Sequence, residues 1–131
     1  MTTTKSTETA RQRLLEQRQS RIKTIKEFIL NNRSAGLLNN QKWYKIFEWL
    51  DDHKTAFELK TLLSKDYKAC DQIRELEQTS ILIDDSGDFI EFLEIERLTT
   101  KHTKKFSDFL DELNIEYTNR QEQVDLDGYR K

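Results

Sequence analysis

Two apolar runs on either side of a polar turn form the clearest local pattern in the chain. Residues 81–83 are apolar, the sequence DDSGD follows, and a second apolar run extends over 89–95. Gly87 supplies the positive φ of a tight turn, and Asp and Ser side chains accept hydrogen bonds from nearby amides. The pattern predicts a β-hairpin. Its alternation changes phase at Phe92 and Leu93, which indicates a bulge or a bend.

Three segments carry apolar residues at steps of three and four, the spacing of one helix face. The first covers residues 8–32, with few apolar residues in its first half. The third covers about 104–113. The second begins after an asparagine, either Asn39 or Asn40, whose side chain is a good helix cap. Its apolar stripe predicts a buried face made of Trp43, Ile46, Phe47 and Leu50.

The segment between the second helix and the hairpin is ambiguous, and the fold class depends on it. Residues 55–63 alternate as a strand does, but Thr55 could also cap a helix there. Both interpretations stay open, and the strand is favoured. For residues 69–77, the three-residue step from Ile73 to Leu76 favours a helix.

A last hairpin is predicted near the end of the chain, with Ile115 and Tyr117 opposite Val124 and Leu126. The elements together predict an α+β fold, in which an antiparallel sheet or hairpins pack on helices. The predicted organisation is a disordered tail (1–7), a basic helical arm (8–36) and a single compact α+β domain (37–131).

Composition adds the expected compartment. A chain of 131 residues has the length of one domain, and its 10% aromatic content is unlike that of a disordered chain. The sequence contains no apolar run of membrane-spanning length and no signal-peptide core. The single Cys70 cannot form an internal disulfide. We therefore expect a cytoplasmic protein with no membrane partner.

Charge is distributed unevenly along the chain. The net charge is −2, but residues 1–36 hold eight Lys or Arg against three Glu, a net charge of +5. Residues 37–131 therefore carry −7. A basic arm next to an acidic body argues against broad nucleic-acid binding by the body.

Groups for catalysis or metal binding are sparse. The histidines, His53 and His102, lie in polar segments, and Cys70 is typical of a buried thiol. Together they fall short of the roughly four ligands of a structural zinc site. The 3 glycines lie too far apart for a phosphate-binding loop. We expect no enzyme activity, no catalytic residues, no metal and no cofactor.

Carboxylates are the abundant functional group, and they concentrate on the hairpin. Their spacing lacks the pattern of a calcium loop, so a solvated turn or a protein-binding face is favoured. Trp49 lies off the buried stripe of its helix, where it either packs on the flank or contacts a partner. The candidate partner-binding residues are Asp84, Asp85, Asp88, Glu91, Glu94, Glu96 and Trp49.

Three short motifs resemble an uncharacterised family of small bacterial proteins: NNQKW at 39–43, GDFIEFLEIERL at 87–98 and LNIEYTNRQEQVDLDGYRK at 113–131. That family begins a helix with Asn-Asn-x-Lys-Trp and ends in a Gly-Tyr-Arg strand. The resemblance covers about 37–131 and implies an α+β fold without established catalytic residues. The chain departs from the family at Arg97, where an aromatic residue is expected.

Residues 41–98 also resemble winged-helix domains, with three helices followed by the hairpin as the wing. The resemblance implies DNA binding, with the third helix in the major groove. The acidic wing tip departs from that pattern because phosphates repel it. The candidate nucleic-acid contacts are Arg11, Arg13, Arg18 and Arg21 on the arm, with Lys68 and Arg74.

Two functions follow as hypotheses. The first is a cytoplasmic inhibitor of the immunity or antitoxin type, which blocks a toxin domain with a basic cleft through the acidic hairpin. The alternative is a winged-helix transcriptional regulator that grips DNA with the basic arm. In either case the arm could also pair with a second copy of the chain.

Overall fold

The structure is a computed structural model that describes residues 2–32, 35–77 and 80–130. Side chains are described within those ranges except at 2–11, 14–15, 31–32, 35 and 130. The chain divides into two compact units, Met1–Asn32 and Arg33–Lys131. The second unit has an α+β fold, as the sequence predicts.

The first unit is one long helix, α1, which spans Thr2–Asn32. It begins earlier than the predicted start at residue 8 and includes most of the predicted tail, of which Met1 lies outside the described residues. It ends at the predicted Asn32, and Ala35–Gly36, which the predicted arm includes, form a short strand. No helix among the described residues is long and apolar enough to cross a membrane.

The two helices of the second unit match their predictions. The helix α2 covers Asn40–Asp52, and its N-cap is Asn39, whose Oδ1 accepts a hydrogen bond of 2.8 Å from the amide of Lys42. Its buried residues are the predicted stripe. The helix α3 covers Lys104–Glu112 and is capped by Thr103.

The described residues include ten strands. A short 3-10 helix, Phe92–Glu94, lies between the sixth and seventh strands. The strands are β1 (Ala35–Gly36), β2 (Phe57–Thr61), β3 (Lys68–Cys70), β4 (Ile73–Glu77), β5 (Ile81–Asp84), β6 (Phe89–Glu91), β7 (Ile95–Lys101), β8 (Thr118–Arg120), β9 (Gln123–Asp127) and β10 (Tyr129–Arg130).

Within the described ranges, the strand pairs are antiparallel and form three sheets. The largest has five strands in the order β3-β2-β7-β9-β8, and a second has three in the order β4-β5-β6. The strands β1 and β10 pair as a ribbon. The predicted hairpin is the β5–β6 pair, and the predicted bend is the 3-10 helix, which takes the chain from the three-stranded into the five-stranded sheet.

For residues 55–63, which the sequence leaves open between strand and helix, the structure has the favoured strand as β2, Phe57–Thr61. The helix predicted over 69–77 is wrong. That segment contains β3 and β4, which pair with β2 and β5. The register of β4 shifts between Ile73 and Glu75, so one extra residue is accommodated there. The bulge explains the error, because it puts Ile73 and Leu76 on one face at a three-residue spacing.

The winged-helix fold is also not what forms. A winged helix over 41–98 needs two further helices after α2, and the structure has β2, β3 and β4 in their place. Lys68 and Arg74, assigned to a recognition helix by that resemblance, lie on strands instead.

The last hairpin forms with a different register from the predicted one. Asn114 takes a positive φ of 55°, and the amide of Ile115 donates to the carbonyl of Leu110 at 2.9 Å. This bond closes the end of α3, and Ile115 follows it with its side chain in the core, so Ile115 is not paired with β9. The pairing with β9 begins only at Thr118, which lies opposite Asp125.

One hydrophobic core joins α2, α3 and the sheets. Rings of α2 pack in its centre, with Trp43 stacked on Phe47 at 5.7 Å between centroids and Phe47 at 5.3 Å from Phe92. Inward-facing residues of the five-stranded sheet complete it, among them Phe57, Leu59, Leu98, Val124 and Leu126.

Candidate functional site

The hairpin tip, residues 84–89, is built around the buried side chain of Asp84. Its Oδ1 accepts hydrogen bonds from the amides of Ser86 at 3.0 Å and Asp88 at 2.9 Å. The main chain closes the turn through a bond of 3.0 Å from the Gly87 amide to the Asp84 carbonyl. Gly87 has a φ of 87°, which glycine adopts without strain. Both the turn and its side-chain bonding are as predicted.

Lys68 of β3 links this tip to the five-stranded sheet. Its Nζ lies 2.6 Å from Oδ2 of Asp84 and also forms an ion pair with Oδ2 of Asp88. Hydrogen bonds to these two carboxylates raise the pKa of Lys68. Burial alone would raise the pKa of Asp84, but bonds from Lys68 and from the backbone outweigh it, and the pKa lies below its usual value. Lys68 thus holds two sheets together at the tip.

The exposed residues of the tip are Asp85, Ser86, Asp88 and Phe89. Phe89 is 54% exposed, which makes it one of the few large apolar side chains on the surface. Arg74 crosses the turn and donates a hydrogen bond of 3.2 Å to the carbonyl of Asp85. The positive charges of Lys68 and Arg74 offset two of the three negative charges of Asp84, Asp85 and Asp88. The tip is therefore mixed in charge and less acidic than its sequence indicates.

The remaining predicted carboxylates do not extend the tip into an acidic ridge. Glu91 and Glu94 are buried, at 7% and 1% exposure. Glu96 forms an ion pair with Lys60 of β2. The reason is the 3-10 helix, which turns the chain after Glu91 and sends the following residues into the other sheet.

Trp49 packs on its own domain. Its ring stacks on His53 at 3.8 Å and lies 4.8 Å from Phe106 and 5.7 Å from Phe109 of α3. Trp49 therefore packs on the flank of its helix, as the favoured interpretation has it, and its side chain is half-buried.

The candidate nucleic-acid residues divide between the two units. Arg13, Arg18 and Arg21 lie on α1, with Arg13 and Arg21 exposed, and the side chain of Arg11 lies outside the described residues. Lys68 and Arg74 instead border the acidic tip. The structure therefore brings these two on to the surface that the inhibitor hypothesis uses.

The thiol of Cys70 is not prepared for nucleophilic chemistry. Cys70 is buried, and burial raises the pKa of its thiol to about 11, so the nucleophilic thiolate is disfavoured. No cluster of His, Cys, Asp and Glu that could hold a metal ion occurs among the residues whose side chains are described.

Two features of the surface are not apparent from the sequence. In the sequence, Phe89 is one residue of an apolar run. In the structure it pairs with Ile83 and is exposed, whereas its neighbour Ile90 pairs with Leu82 and is buried in the core. A groove on the five-stranded sheet is the second. It depends on cross-strand neighbours, which a single sequence does not reveal.

Comparison with known proteins adds no further assignment, because the chain matches no protein-family model, no curated protein and no solved structure.

Proposed function

We propose that this protein is a non-enzymatic inhibitor of the immunity or antitoxin type, which binds its target protein in the cytoplasm through the hairpin tip. The target is a protein domain with a basic cleft. One observation carries the proposal: an exposed aromatic side chain, Phe89, stands beside the exposed carboxylates of Asp85 and Asp88.

The chemistry of this surface suits protein recognition. Aromatic residues near the centre of an interface commonly supply most of its binding energy, and surrounding charges contribute to association rate and specificity. When a partner covers an exposed Phe at the end of a hairpin, burial of its apolar surface stabilises the complex. Because Lys68 and Arg74 reduce the negative charge of the tip, we expect Phe89 to contribute more to the binding energy than any single carboxylate.

Preorganisation also supports the proposal. Asp84 and Lys68 fix the turn before any partner arrives, so little conformational entropy is lost on binding. Asp84 and Glu96 act within the domain, through their ion pairs with Lys68 and Lys60, and Glu91 and Glu94 are buried. The contact is left to the exposed residues of the tip.

The test is affinity capture of the tagged protein from its own cells, with mass spectrometry and nucleic-acid quantification. A tip variant, Asp85→Lys with Phe89→Ala, is compared with a control variant, Glu116→Lys with Leu63→Ala. The control makes the same charge change and removes an apolar side chain of similar exposure, 52% for Leu63 and 54% for Phe89.

We expect one stoichiometric protein partner with the wild type and the control, and its loss with the tip variant. Equal recovery of that partner by the tip variant would contradict the proposed surface. Recovery of nucleic acid without a protein partner would instead favour the regulator with a basic arm, and recovery of the untagged chain alone would favour self-association.

A further inference from the structure

A groove of about 320 Å³ lies on the face of the five-stranded sheet that points away from the core. It crosses β3, β2, β7 and β9. Its existence follows from the register, because Glu58 of β2 has the small Ala69 on one side and Thr99 on the other. Short side chains at these cross-strand positions, and at Ala56, leave a depression between longer neighbours.

The floor of the groove is mainly apolar in character. Ala56 and Ala69 contribute methyl groups. The hydroxyl of the buried Thr99 in the floor is already engaged, since it donates a hydrogen bond of 2.8 Å to Oδ1 of Asp125. The floor therefore favours contact with hydrocarbon.

The rim is acidic and differs from the rest of the same sheet. Elsewhere on the sheet each carboxylate has a cation of its own, as in Asp127 with Arg97 at 2.7 Å and Asp125 with Arg120 at 3.2 Å. Asp71 and Glu122 stand at the rim, and Glu58 rises between Ala69 and Thr99. Lys101 is the only basic residue among the described residues of the lining. Among the described residues, none forms an ion pair with these three carboxylates.

We propose that this groove is a second recognition site, which takes an arginine side chain from a basic protein segment. The aliphatic part of arginine would lie on the floor, and the guanidinium would reach the rim carboxylates, which its planar fork binds better than a point charge does. The volume lies at the lower end of the range of ligand pockets, about 300–1,000 Å³, and suits one side chain.

This site is independent of the hairpin tip, so the two proposals can fail separately. The groove and the tip lie on either side of β3, whose Ala69 lines the groove while its Lys68 holds the tip. A partner could use either surface alone.

The test is a titration of the ¹⁵N-labelled full chain with N-acetylarginine amide, followed through amide chemical shifts. We expect shifts centred on residues 56–58, 69–71, 99–101 and 122–123. N-acetylcitrulline amide has nearly the same shape without the charge, and we expect it to bind between about twofold and about thirtyfold more weakly, as the loss of two exposed ion pairs implies. The tip variant should bind the arginine probe as the wild type does.

A variant with Glu58→Gln and Glu122→Gln should weaken binding between about twofold and about thirtyfold, as two exposed ion pairs of about 0.2–1 kcal/mol each imply. The matched control is Glu112→Gln with Glu116→Gln, which removes two exposed carboxylates outside the groove and should leave the affinity unchanged. Shifts centred elsewhere, equal binding of citrulline, or equal loss in both variants would overturn the proposal.

Discussion

The carboxylate of Asp84 is buried at the turn of the hairpin, where it accepts hydrogen bonds from two backbone amides and forms an ion pair with Lys68. The sequence places Asp84, Asp85 and Asp88 in one turn and predicts the same role for all three. The structure separates them, because strand pairing buries the first and exposes the other two. At the scale of single residues, the division between support and contact thus depends on neighbours that are distant in the chain.

The first prediction concerns Asp84→Ala. This change removes the acceptor of the hydrogen bonds from the Ser86 and Asp88 amides and an ion-pair partner of Lys68. Each such hydrogen bond contributes about 0.5–1.5 kcal/mol to stability. We expect the free energy of unfolding, measured in urea, to fall by about 2–3 kcal/mol. Asp85→Ala is the control, and because Asp85 is exposed, its effect should stay within about 0.5 kcal/mol. Equal effects would contradict the structural role of Asp84.

The second prediction concerns pH. Since the pKa of Asp84 is lowered in the folded state, its stabilisation is complete above the unfolded pKa of about 3.9 and is lost as pH falls through the folded value. The difference in unfolding free energy between wild type and Asp84→Asn should therefore be largest near pH 7 and shrink below about pH 4. A difference that stays constant from pH 7 to pH 3 would refute this linkage.

The third prediction concerns Gly128, whose backbone passes directly over β7. A Cβ at this position would collide with the carbonyl oxygen of Ile95, a backbone atom that cannot move freely. We expect Gly128→Ala to lower the free energy of unfolding by about 1–3 kcal/mol, as overpacking commonly does. Gly36→Ala is the control, because a Cβ there would lie 3.8 Å from the ring of Tyr129, an ordinary contact. Similar losses in both variants would rule out the close approach as the cause.

Among the elements, those fixed by local signals were predicted well. Each of three features depends on residues that are close together in the sequence: the apolar stripe and cap of α2, the apolar face of α3, and the β5–β6 turn. The failures, β3 and β4, depend on pairing with β2 and β5 and on a bulge that imitates helical spacing. The early start of α1 at Thr2 was missed because the threonines there carry no helical signal.

The fourth prediction separates the two asparagines that the sequence leaves as alternative caps. Asn39 caps α2 through its side chain, and Asn40 is the first helical residue. We expect Asn39→Ala to lower the free energy of unfolding by about 0.5–2 kcal/mol and Asn40→Ala to have little effect. Thermal or urea unfolding of both variants measures the difference. The reverse order would mean that α2 begins one residue later.

Over the whole molecule, the α+β class could be predicted from the sequence, whereas the shape of the binding surface could not. Seven residues were candidates for partner binding, and the structure leaves Asp85 and Asp88 as the exposed members of the tip. Phe89 joins them, and Glu58 and its neighbours form a separate groove. Which side chains meet is set by sheet register, and register follows from pairings that one sequence does not show.

The central claim is that the hairpin tip contacts a protein partner, and the most direct measurement is amide hydrogen exchange with and without the captured partner. We predict that the partner slows exchange chiefly at residues 84–89, with little change on α2 and α3. Protection confined to α1, or to the face formed by α2 and α3, with exchange at the tip unchanged, would contradict the claim.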